Sequence, residues 1–108
     1  MEGPVPIGAT LFVTGARSDE VNGYYKEVRV RNGSPVFERI YHNNQLDNNF
    51  QIYQLNNEWG IWTYDWRGDG HLIYTHTDVA SRNPPTNDWH ANKPGTEGRL
   101  PCPTITYL

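Results

Sequence analysis

At 108 residues the chain has room for one hydrophobic core and not for two ordinary domains, so a single domain over residues 1–108 is expected. Hydrophobic residues make up 36% and aromatics 13% of the chain, which predicts a core of few residues rich in rings. A formal charge of −3 lacks the basic footprint that grips phosphates, so no nucleic-acid partner is expected.

Residues 1–9 read as an N-terminal arm without the basic head and sustained apolar stretch of a secretory signal. No run approaches a membrane span, and no membrane partner is expected. Taken from its first residue the chain reads as cytoplasmic; a chain whose leader had been removed would be secreted.

From Thr10 onward, β-rich runs alternate with turn signals. The expected strands are Thr10–Thr14, Tyr24–Arg31, Val36–His42, Phe50–Leu55, Trp59–Trp66, Leu72–Thr77 and Thr104–Leu108. Between them stand Asn22-Gly23, Asn32-Gly33-Ser34-Pro35, Asn56-Asn57 and Arg67-Gly68-Asp69-Gly70, which permit the positive dihedrals of tight hairpins. No stretch carries a helical stripe. The expected fold is all-β: a small antiparallel barrel or two-sheet sandwich of six or seven strands, with a Pro/Gly-rich C-terminal wrap.

Within the second run, strict alternation puts Tyr24, Lys26, Val28 and Val30 on one side and Tyr25, Glu27, Arg29 and Arg31 on the other. In the third, Phe37, Arg39 and Tyr41 share a side. His42 to Asn49, HNNQLDNN, reads as a polar connecting loop. The segment Glu58 to Thr75 holds three of the four tryptophans. Trp59 and Ile61 fall on one face, and Trp62, Tyr64 and Trp66 on the other. A half-buried strand needs only one apolar face, so the second is either a further core or a binding surface.

Residues 80–103 contain five prolines and two glycines and are expected to wrap the sheet as a loop pinned by Trp89. Cys102, the only cysteine, lies between Pro101 and Pro103 and reads as a structural thiol.

No constellation for catalysis is apparent. Ser34 and Ser81 stand in loops without a nucleophile motif, the carboxylates are scattered, and no glycine-rich loop opens a helix. Neither a metal nor a cofactor is expected: Arg67 stands where a calcium loop from Asp65 would need an oxygen ligand. His71 and His76 are expected on opposite faces, with Asp78 beside His76. Arg67-Gly68-Asp69 spells an adhesion tripeptide and is equally what a tight turn requires. Asn32-Gly33-Ser34 fits a glycosylation acceptor and also a turn.

The reading that remains is a noncatalytic, soluble binding module. Rings interleaved with Arg, Asn and Asp suit a sugar, whose apolar face lies on an aromatic ring while polar groups bond its hydroxyls, so a lectin-like carbohydrate-binding role is expected. The ligand-binding residues expected are Trp62, Tyr64, Trp66, Asp65, Arg67, Asp69 and Trp89. The alternative is a protein-interaction or structural module that binds a peptide or forms a homo-oligomer through the same face.

Overall fold

The computed structural model describes residues 5–41, 43–92 and 98–108. Eight strands make one antiparallel sheet: β1 (Leu11–Thr14), β2 (Gly23–Arg31), β3 (Ser34–Ile40), β4 (Leu46–Leu55), β5 (Glu58–Tyr64), β6 (Gly70–His76), β7 (His90–Ala91) and β8 (Thr104–Tyr107). The strands from β1 to β7 follow one another as a meander, and β8 returns to pair with β1 in the order β7-β6-β5-β4-β3-β2-β1-β8. The sheet curls into a half-barrel, and the only helical element described is the single 3-10 turn Asp19–Val21.

The expected all-β class is what forms, but as one curled sheet rather than a closed barrel or two packed sheets, and with eight strands rather than six or seven. The gap between the two edges is spanned by chain and not by strand pairing. The Ile105 amide of β8 donates to the Thr86 carbonyl at 2.8 Å, and the Tyr107 hydroxyl to the Pro84 carbonyl at 2.5 Å. Arg82 reaches from the same segment to Glu27 of β2, with both guanidinium nitrogens on the carboxylate at 3.0 and 2.7 Å.

Two hairpins follow their turn chemistry closely. Asn32 (φ 51°) and Gly33 (φ 80°) alone join β2 to β3, and Asn56 (φ 53°) and Asn57 (φ 65°) alone join β4 to β5. Consecutive positive dihedrals match the sheet's twist in a two-residue loop, and Asn and Gly tolerate them best.

Inside the curl, Leu11, Val13, Val21, Tyr25, Phe37, Ile52, Trp59, Ile61, Tyr74, Trp89 and Ile105 pack as one core. At about 25 cal/mol per Å² of apolar area, a ring the size of Trp59 removed wholly from water contributes several kcal/mol before entropy is counted.

Departures from strict alternation decide which side chains share a face. Glu27 pairs with Phe37 and Arg29 with the next residue back, Val36, so Val28 is an extra residue, a β-bulge. Beyond it, Arg29 and Arg31 turn to the convex face with Lys26, while Val30 takes the opposite side and stays exposed at the strand's end; the expected grouping with Tyr25 and Glu27 is thereby corrected. A second irregularity, between Ile61/Trp62 and Tyr74/Leu72, makes Ile73 the extra residue of β6. It puts His71 opposite Thr63 and His76 opposite Trp59, so the two histidines share the inner side, contrary to expectation. Phe37 and Arg39 also point inward, away from Trp62 and Tyr64: the Arg39 guanidinium lies 3.9 Å from the Phe50 ring centroid.

The expected loop over residues 42–49 also gives way, because β4 begins at Leu46. Asp47 is buried in an ion pair with Arg39 at 2.9 Å, and Arg39 also donates to the Glu20 carbonyl. His42 lies outside the described residues.

Candidate functional site

The convex face of the sheet carries the second aromatic row, and glycine underlies it. A Cβ on Gly60 would fall 2.5 Å from Trp62 Nε1 and 2.7 Å from Leu72 Cδ1, and a Cβ on Gly70 would fall 2.9 Å from the Tyr64 ring. Trp62 and Tyr64 therefore lie down over bare backbone, which only glycine permits. Across the sheet, Tyr53 pairs with Gly60 and stacks on Trp62, with centroids 5.4 Å apart and planes 8° from parallel. Its hydroxyl meets that of Tyr64 at 2.6 Å. Burial and that contact push the Tyr53 phenol pKa upward, so Tyr53 keeps its proton. The Trp62 N–H is buried against Gly60 and has no acceptor among the described residues.

Beside these rings lies a shallow dish of about 250 Å³, lined by Arg29, Arg31, Val36, Gln51, Tyr53 and Tyr64. Val36, 1% exposed, forms its apolar floor. Arg29 stands between two partners, donating to Glu38 Oε2 at 2.8 Å and to Gln51 Oε1 at 3.1 Å. The Arg31 guanidinium sits 5.2 Å above the Tyr53 centroid. All six residues share one face because the bulge at Val28 shifts the arginines onto it.

The expected ligand residues are dispersed over this architecture. Trp62 and Tyr64 are half-buried on the convex face, whereas Trp66 is 91% exposed in the turn beyond β5. Asp65, Arg67 and Asp69 belong to that turn. Asp65 Oδ1 accepts the backbone N–H groups of Arg67 and Asp69 at 2.9 and 3.1 Å, and Oδ2 lies 3.2 Å from His71 Nε2. The His71 contact, with help from those two amides, holds the Asp65 carboxyl below its ordinary range. Arg67 leans on Asp65 and Asp69 at 3.4 and 3.6 Å, and Gly68 takes φ 84°. The Arg-Gly-Asp segment is thus internally bonded as a turn.

Trp89 lies elsewhere, 4% exposed in the core, with its N–H donated to the Pro85 carbonyl at 2.9 Å. It does not meet Trp62, Tyr64 or Trp66.

Sequence reasoning missed Tyr53, Arg29, Arg31, Gln51 and Val36. A usable signal was present. If Asn56-Asn57 alone forms the β4–β5 turn, Tyr53 must oppose Gly60 and Gln51 must oppose Trp62. The arginines carried no such signal, since the bulge that places them is set by β3.

A larger recess of about 650 Å³ opens at the N-terminal arm, lined by Val5, Pro6, Ile7, Tyr24, Ile40 and Tyr41 among others. Its polar groups are mostly committed. Asn22 exchanges two bonds with the Ala16 backbone, and Arg39 is held by Asp47 and Glu20. The dish instead offers guanidinium, amide and phenol groups beside an apolar floor.

Among the described residues no group of three or more His, Cys, Asp or Glu side chains could hold a metal, and no helix is long and apolar enough to cross a membrane. No protein-family model, no curated protein and no solved structure matches the chain.

Proposed function

We propose that the chain is a noncatalytic binding module that holds a carbohydrate in the convex dish. The observation that carries this reading is the pairing of a buried apolar floor at Val36 with ring walls at Tyr53 and Tyr64 and a rim of Arg29, Arg31 and Gln51. A sugar ring has one apolar face and an edge of hydroxyls, and recognition needs a flat apolar surface with a few fixed donors beside it. The volume of about 250 Å³ falls below the 300–1,000 Å³ usual for engulfed ligands, which favours one ring laid on the surface. Trp62 stacks on Tyr53 and steadies that wall, whereas Trp66, Asp65, Arg67 and Asp69 stand in the β5–β6 turn, outside the lining of the dish.

A glycan array followed by fluorescence titration tests this. Saccharide binding is expected to change tryptophan emission through the Trp62–Tyr53 stack, and Tyr64→Ala is expected to weaken it about tenfold, the equivalent of about 1.4 kcal/mol. If the folded protein binds no saccharide, the reading is wrong.

The recess at the N-terminal arm favours a second reading, a peptide-binding or self-associating module, because its walls are apolar and its polar groups are committed. Sedimentation separates the two: a stable oligomer that loses its association on Ile7→Asp supports the second.

A further inference from the structure

We infer that the saccharide the dish takes is acidic, and that Arg31 reads its carboxylate. This rests on the carbohydrate reading above and narrows it. The inference follows from how the two arginines are used. Arg29 is spent: one nitrogen is bonded to the Glu38 carboxylate and the other to the Gln51 amide oxygen. Its charge is cancelled by Glu38, itself buried on the same face.

Arg31 has no carboxylate in ion-pair reach among the described residues. What holds it is the Tyr53 ring. Stacking on a ring fixes the guanidinium plane while leaving its edge N–H groups free to fork onto a carboxylate. Two arginines against one glutamate leave one net positive charge among the residues lining or bonded to the dish, on a chain whose formal charge is −3. A neutral sugar would use hydroxyl acceptors and gain nothing from that charge. A hexuronate, with its carboxylate at the ring's edge, would place the ring over Val36 and the carboxylate on Arg31. A carboxylate is the group for which a flat, preoriented fork at the rim is best suited.

The test is an array in which each carboxylate-bearing saccharide is paired with its methyl ester, which keeps the ring and masks the charge. The free acid is expected to bind at least tenfold more tightly at low salt, with the preference shrinking as salt rises. Arg31→Gln should abolish the preference, so that acid and ester bind alike. Arg31→Lys, which keeps the charge and loses the fork, should retain only part of it. Arg31 is exposed at the end of β2, and an unchanged circular dichroism spectrum confirms that each variant is folded. Equal binding of acid and ester, or binding of sulfated saccharides alone, overturns this inference and leaves carbohydrate binding standing. A preference that survives Arg31→Gln also overturns it. Failure of every saccharide to bind overturns both.

Discussion

Gly60→Ala tests whether the rings of the convex face are seated on glycine. The added methyl would stand 2.5 Å from Trp62 Nε1, far inside contact distance, so the indole must swing away. Forcing a group into an occupied site costs about 1–3 kcal/mol. Loss of the Trp62–Tyr53 stack adds about 0.5–1.5 kcal/mol. Replacing glycine in a strand returns about 0.5–1 kcal/mol through backbone entropy. The net destabilisation centres on about 2 kcal/mol, or about 10 °C in Tm for a domain of this size. Urea denaturation of the wild type, Gly60→Ala, Trp62→Ala and the double variant gives the coupling directly. With the indole gone, Gly60→Ala is expected to cost nothing or to stabilise slightly, since only the Leu72 methyl end remains and can rotate aside. Equal losses from Gly60→Ala in both backgrounds would refute the reasoning, because the cost would then not pass through Trp62.

Asp47→Ala should destabilise by about 3 kcal/mol in the same assay, because it strands Arg39 beside Phe50 with its buried carboxylate partner gone. Trp66→Ala should change stability by less than about 0.5 kcal/mol yet remove most acrylamide-quenchable emission, since its ring is the exposed indole. The hydrogen bonds from Arg82 hold the Glu27 carboxyl below its ordinary value. A depressed folded-state pKa means that the pair's contribution is complete above the ordinary carboxyl value, about 4.3, and is lost as pH falls through the lower folded value. The protection of the Ile105 amide, which is bonded to Thr86 of the same segment, taken relative to its intrinsic exchange rate, should therefore fall in acid. In Arg82→Gln it should already be reduced at neutral pH.

Much of the fold was legible because hairpin chemistry is local. Asn32-Gly33 and Asn56-Asn57 announce two-residue turns, and the alternation in β5 separates Trp59 and Ile61, both buried, from Trp62 and Tyr64 on the far face. What escaped was set by partners distant in sequence. Nothing in Val28 or Ile73 marks a bulge; each is extra only relative to the strand opposite. Asp47 looked like part of a polar loop because its reason for being buried, Arg39, lies on another strand. β7 is two residues long, too short to show a period. The site was half legible for the same reason: Trp62 and Tyr64 stand in β5, while Tyr53 and Gln51 come from β4, the floor from β3 and the cations from β2.

The bulge at Val28 also sets how this surface can change by gain or loss of residues. Sheet faces alternate with a period of two, so deleting Val28 would make Arg29 follow Glu27 directly, still opposite Val36, with Arg31 still opposite Ser34 and both on the convex side. Substitutions at position 28 alter one half-buried side chain, and removal of the residue takes out the bulge without inverting the end of the strand. The face on which Arg29 and Arg31 stand is thus held by their pairing with β3 and by the two-residue turn beyond it, not by the extra residue. A lineage can retune the dish by exchanging side chains, and β2 can lose the bulge residue without turning the arginines away from it.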